Sequence, residues 1–177
     1  MAVSHYLLHA DERLMRHVLR WQAPRWLRIW MLASTRGGDG WLWYGLALIL
    51  AIFGGDDRYA AIGAEALATG MGIAVLLTLK PAIGRTRPCG LEPHCWATLL
   101  PPDRFSFPSG HTITAFATAV SISMFYPAVL PVLLFCAVSI AASRIILGMH
   151  YLSDVLAGAA IGTLLGYGSV ALMTAIS

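Results

Sequence analysis

Long apolar runs limit what this chain can fold into: Ala60 to Leu79, His111 to Tyr126, Pro131 to Leu147 and Val155 to Ile176, with a shorter run from Trp41 to Phe53. A helix needs about 20 residues to cross a hydrocarbon core of about 30 Å, with a lower limit near 17. Hydrophobic side chains make up 58% of the 177 residues and charged ones 12%, so there is too little polar surface to cover such runs in water. The pattern predicts an all-α fold, a polytopic membrane helix bundle with about five or six spanning helices, formed as one domain over residues 1–177. The Trp41 run is short for a span and needs flanking residues or a thinned bilayer.

The stretch before those runs has a different character. Arg13, Arg16, Arg20, Arg25 and Arg28 interrupt it too often for a lipid-spanning helix, yet Leu14, Val18, Trp21 and Leu27, Trp30, Met31 repeat at helical spacing. Two amphipathic helices lying in the membrane interface and broken near Pro24 fit this pattern, with Trp21, Trp26 and Trp30 at headgroup level. Residues 1–38 are thus read as interfacial and 39–177 as the helix bundle, with a poorly formed first span as the rival for the former. The N-terminus carries acidic residues and has no signal-peptide core, so it is expected to stay in the mature protein. A formal charge of +3, with basic residues in two regions rather than one stripe, argues against a nucleic-acid partner.

Three polar clusters break the apolar layout: KPAIGRTRP at 80–88, FPSGHT at 107–112 and SRIILGMHYLSD at 143–154. With five spans all three fall on one side of the membrane. Pro108 ends any preceding helix and Ser109 is a favoured N-cap, so Gly110 and His111 open a helix whose N-terminus suits an anion. Lys80, Arg87 and Arg144 add cations to the same volume, and a phosphate is the simplest group to compensate them. His150 and Asp154 are four apart; on one helix, the carboxylate can hold one ring nitrogen and leave the other to attack phosphorus. His111 then protonates the leaving oxygen and later activates water. A metal is disfavoured, because the same cations would repel it, and no cofactor is implied.

Singly, each residue has a plainer reading: His111 as a cap, Arg144 as a snorkelling anchor, His150 and Asp154 as a structural pair. Gly158, Gly162 and Gly166 read as a helix-packing stripe. Glu65 lies about 22 Å from Lys80 along its helix and reads as a hydrogen-bonded packing residue, while Asp39 in RGGDG reads as a turn residue. Arg85, His94 and Arg104 read as headgroup contacts or solvated loop residues, and Cys136 as packing. Cys89 and Cys95 sit in a polar connection; a bridge between them forms only in an oxidising compartment, and two reduced thiols are the alternative.

Lys80, Arg87 and Pro88, then Pro108, Ser109, Gly110 and His111, then Ser143, Arg144, His150 and Asp154 stand in the order and spacing of the type 2 phosphatidic acid phosphatase superfamily. The chain resembles that family over about residues 40–175, with no motif position departing. The resemblance implies a lipid phosphatase in which His150 becomes a phosphohistidine, Asp154 orients it and His111 is acid then base. Lys80, Arg87, Ser109, Gly110 and Arg144 would hold the phosphate. It also implies a site on the periplasmic face of a bacterial inner membrane. The positive-inside rule alone would put the connection from Lys80 to Gly110 in the cytoplasm, since eleven of the twelve basic residues lie on or near its side. An extracytoplasmic site would favour the Cys89–Cys95 bridge.

Undecaprenyl pyrophosphate, phosphatidylglycerol phosphate, phosphatidic acid and lipid A are candidate substrates, the first slightly favoured because compact relatives often recycle carrier lipid. A lipid phosphotransferase and a vanadium haloperoxidase are rivals within the same chemistry, and a membrane anion transporter is the rival from another class. The bilayer and a lipid phosphate are the expected partners, and the sequence specifies no oligomeric state.

Overall fold

The computed structural model describes residues 2–21, 23–88 and 104–176, and these are helical with connecting turns. Helices α1 (Ala2–Arg20) and α2 (Arg25–Arg36) flank Pro24, which caps α2 in an extended conformation at φ −55° and ψ 150°. Proline lacks an N–H and disfavours helix in the residue before it, so the break falls there, as expected from the sequence. The exposed Trp21 and Trp26 border this break.

From α2 the chain continues through a π-helical turn, Gly37–Trp41, into α3 (Leu42–Phe53). Gly40 takes φ 115° inside that turn, a conformation that strongly favours glycine, and the kink separates α2 from α3. Next comes α4 (Arg58–Ile83), which ends at Gly84; its left-handed φ of 64° lets its N–H reach the Lys80 carbonyl at 3.0 Å. Lys80 and the segment to Pro88 thereby leave α4 at one end of the bundle. The N-cap Ser109 starts α5 (Gly110–Phe125), and α6 (Leu130–Ile146) runs back. A turn at Gly148, φ 71°, leads into α7 (Leu152–Ile176).

Among the described residues, three helical stretches are long and apolar enough to cross a bilayer unaided: Gly55–Ile83, Pro127–Ile146 and Leu152–Ile176. The Trp41 run gives only the 12-residue α3, and the His111 run the 16-residue α5. At 1.5 Å per residue α5 covers about 24 Å, short of the hydrocarbon thickness. It is buried along most of its length and packs against α4, α6 and α7, so its neighbours rather than lipid surround it.

The tightest joint is between α5 and α7. A Cβ on Gly158 would stand 2.8 Å from the Ser109 carbonyl oxygen, on Gly162 2.3 Å from that of Ile113, and on Gly166 2.8 Å from Val120 Cβ. The small-residue stripe is what lets these two backbones touch. Gly162→Ala is expected to destabilise the fold by about 1–3 kcal/mol, because backbone must move. A lower melting temperature in detergent than for Gly168→Ala, where the new methyl meets nothing, checks it.

Trp43, Ala61, Ala115, Ile122, Leu133 and Ile140 form the central core, drawn from α3, α4, α5 and α6. A second cluster seats α2 on α6 and the turn after it through Met31, Leu147 and Met149. Leu77, Phe53, Leu164 and Ile176 remain exposed, as suits side chains that meet lipid. The Cys89–Cys95 pair and His94 lie outside the described residues; Cys136, half-buried in α6, carries a free thiol.

Candidate active site

The turn between α6 and α7 positions His150. Gly148 reverses the chain, and the N–H groups of Met149 and His150 both donate to the Arg144 carbonyl, each at 3.0 Å. His150 therefore sits in the turn ahead of α7, not on the helix with Asp154 as the four-residue spacing suggests. Asp154, wholly buried in the first turn of α7, accepts the Tyr151 N–H at 2.9 Å through Oδ2, and the same oxygen stands 3.5 Å from His150 Nδ1. At that distance the carboxylate orients the ring electrostatically, its hydrogen-bonding capacity given first to the helix start.

The other ring nitrogen meets a cation. Arg87 Nη1 lies 3.1 Å from His150 Nε2 and donates to the Met149 carbonyl at 3.0 Å. A guanidinium only donates, so Nε2 is an unprotonated acceptor and Nδ1 carries the hydrogen facing Asp154. Burial pushes the His150 imidazole from its ordinary value of 6.5 down to about 3, with Arg87 and Arg144 adding to the effect and Asp154 opposing it. The ring is thus neutral, with its lone pair on the nitrogen beside Arg87.

His111 lies in the first turn of α5, behind the N-cap Ser109. Ser109 does not cap with its side chain; its Oγ accepts from Thr112 Oγ1 at 2.9 Å, and its N–H donates to the Asp154 carbonyl at 3.1 Å. This last bond ties the start of α5 to the start of α7. His111, two residues after Ser109, and His150, four before Asp154, are thereby brought to the same end of the bundle as Arg87 and Arg144. Arg144 is buried and donates to Thr35 Oγ1 on α2. Gly110 packs against Leu76 and Lys80 is half-buried in the last turn of α4.

Three side chains that precede α3 enter this site unannounced by any motif. Asp39, expected to be a plain turn residue, stands with Oδ1 2.7 Å from His111 Nε2. The kink at Gly40 aims it there, and only the ring's Nδ1 is left for another partner. Asp11 on α1 is 8% exposed, accepts the Ser153 N–H at 3.2 Å and the Ser153 hydroxyl, and pairs with Arg85 at 2.9 Å. Arg85, expected to be a headgroup contact or solvated loop residue, bridges Asp11 to Asp154 Oδ1 at 2.7 Å with its guanidinium 3.9 Å over the Tyr151 ring. Thr35 is the third. The only sequence signals were an acid among arginines for Asp11 and a glycine on each side for Asp39, and neither names a partner. Arg104 stacks on Phe105 at 5.8 Å.

Glu65 is held as expected, accepting from Thr118 Oγ1 at 3.0 Å. It also lines a cavity of about 480 Å³ between α3 and α4 whose wall includes Asp39, Trp43 and Thr114.

Comparison with known proteins identifies the family. The chain is 35% identical over 102 residues to the lipid A 1-phosphatase of Rhizobium etli, a match covering 55% of this chain and 42% of that protein, so the chain spans less than half of that relative's length. It is 33% identical to the decaprenylphosphoryl-5-phosphoribose phosphatase of Mycobacterium tuberculosis over 77% of each chain. Among solved structures, a transmembrane PAP2 type phosphatidylglycerolphosphate phosphatase from Bacillus subtilis superposes with a TM-score of 0.77 at 25% identity, over 97% of this chain and 88% of that one. LpxE of Aquifex aeolicus gives 0.65 at 26% identity, over 89% and 93%. The sequence profile of the PAP2 superfamily matches residues 60–176, a range that contains all three motif clusters, and the chain belongs to that superfamily.

Proposed function

We propose that this protein is an integral-membrane lipid phosphatase that works through a phosphohistidine at His150 and requires no metal. One observation carries the reading: the bond from the Ser109 N–H to the Asp154 carbonyl sets the start of α5, with its carboxylate-paired His111, against the turn that holds the buried His150 beside Arg87. Phosphoryl transfer needs an in-line nucleophile, a proton donor to the leaving oxygen and positive charge on the non-bridging oxygens, and these groups supply all three.

The lone pair of His150 Nε2 forms the N–P bond while the bond from phosphorus to the lipid oxygen breaks, that oxygen taking the electron pair and a proton from His111. Arg87, which stands 3.1 Å from Nε2, turns to the phosphate oxygens with Arg144, Lys80 and the backbone at Ser109 and Gly110. Water then attacks phosphorus, gives its proton to His111 and returns the N–P electrons to Nε2, releasing inorganic phosphate. Asp154 and Asp39 keep the two rings in the required tautomers. Because Arg87 and Arg144 provide the charge a metal would bring, activity is expected to survive EDTA and to be blocked by vanadate.

The reading further places the site at the periplasmic face of a bacterial inner membrane, with α1 and α2 in the interface, where lipid enters sideways. The test is phosphate release from a panel of lipid phosphates in detergent with EDTA present, run with and without an acceptor lipid. Release of inorganic phosphate supports hydrolysis; transfer only to the acceptor would make the protein a phosphotransferase; neither product would remove the enzyme reading.

A further inference from the structure

Helix α1 turns two different faces to its surroundings. Asp11 and Met15, one turn apart, are buried. By helical period Arg13, Arg16 and Arg20 fall within about 60° of one another on the opposite side, and all three are exposed. Of the two acids in α1, Asp11 points inward and Glu12 pairs with Arg16 at 3.7 Å, an exposed contact that water screens. The outer face is therefore cationic.

Apolar side chains border that face. Leu14 and Trp21 are exposed, and past the break at Pro24 so is Trp26, beside the exposed Arg25. Arginine next to exposed tryptophan fits the level of lipid headgroups, where the guanidinium meets phosphate and the indole lies among the acyl roots. An anionic bilayer attracts such a segment by about fivefold in affinity per arginine.

The inner face leads to the chemistry. Asp11 accepts the Ser153 N–H at 3.2 Å and pairs with Arg85 at 2.9 Å. Arg85 reaches Asp154 at 2.7 Å, and Asp154 stands 3.5 Å from His150 Nδ1. Among the described residues neither apolar core cluster takes a side chain from α1, so its seat rests chiefly on Met15 and these polar contacts. An element with few buried apolar contacts opens at low free energy. The seated helix holds its arginines in one row, which a loosened segment does not, so an anionic surface favours the seated state.

We infer that the outer face of α1 is a docking surface for an anionic lipid bilayer, and that this contact keeps Asp11 seated and so raises turnover. The inference rests on the phosphatase reading and adds a control by the surrounding membrane to it. The charged lipid acts here as a surface, apart from any lipid that is hydrolysed.

The full chain in nanodiscs of phosphatidylcholine, with or without phosphatidylserine, tests it on saturating dihexanoyl phosphatidic acid, a soluble lipid phosphate. With phosphatidylserine, kcat is expected to rise by about 3- to 10-fold at low ionic strength and the rise to fade in high salt. Enrichment of substrate cannot produce this gain, because an anionic surface repels the phosphate. The triple variant Arg13→Gln, Arg16→Gln, Arg20→Gln should match wild type in phosphatidylcholine and lose the rise. Asp11→Asn keeps the arginines but cuts their link to Asp154, so it should lose the rise too; if it fails to fold, the arginine variant decides alone. Equal kcat of wild type in the two bilayers overturns the docking surface, as does a full rise in the arginine variant. A full rise in Asp11→Asn overturns the route through Asp11. A wild type that releases no phosphate in either bilayer, from this lipid or from the panel above, instead removes the phosphatase reading.

Discussion

His150→Ala is expected to lower lipid phosphate hydrolysis by at least about a thousandfold, since the covalent route loses its nucleophile and water must attack directly. The variant keeps the cationic pocket, so lipid phosphate should still bind. Quenching with labelled nitrophenyl phosphate, whose leaving group needs no proton, separates the two histidines: no protein-bound phosphate forms in His150→Ala, whereas His111→Ala accumulates an acid-labile adduct because its hydrolysis lacks the base. Wild-type-like activity in His150→Ala would remove the assignment. The pH dependence has a definite sign. With its folded value near 3 against 6.5 when free, His150 stays neutral and nucleophilic through the mildly acidic range. Between those values the unfolded chain binds a proton that the folded one does not, so acidification through that window lowers stability while leaving the nucleophile in its reactive form. Melting curves in detergent should fall with pH from about 6.5 downward, and His150→Gln, which cannot titrate, should flatten that slope.

Arg85→Ala should be the next most damaging change described here. It strands Asp154, wholly buried, and Asp11, nearly so, without the guanidinium that joins them at 2.7 and 2.9 Å. Breaking a buried pair by removing one partner costs about 3–5 kcal/mol, because an uncompensated charge is left behind. Activity is expected to drop about a hundredfold as Asp154 shifts and His150 loses its orientation. The double variant Asp11→Asn with Arg85→Ala separates fold from chemistry: stability should partly return while kcat stays low, since Asp154 remains unpaired. Full recovery of kcat would show that Arg85 serves only the docking of α1.

Asp11, Thr35 and Asp39 have a common location: all precede residue 60, where the superfamily match begins. Each holds a group that is itself part of a motif cluster, Asp11 through Arg85, Thr35 through Arg144 and Asp39 through His111. The arginine-rich segment expected only to lie in the membrane interface thus completes the site as well. Its amphipathic pattern was legible because the period of a helix repeats locally, and Pro24 marks the break without any knowledge of the rest.

The apolar runs and three motif clusters determined, by themselves, a helical membrane protein and a set of imidazole and guanidinium groups whose chemistry suits a phosphate. These follow from rules that act along the chain: burial of apolar side chains in lipid, helix capping, and the chemistry of imidazole and guanidinium. Tertiary structure alone decided that His150 stands in a turn before its helix, that Asp39 takes one nitrogen of His111, and that Asp11 reaches Asp154 through Arg85. Contacts such as Asp11 to Ser153 join residues 142 positions apart, and no local periodicity or spacing encodes which distant surface a packed helix will meet.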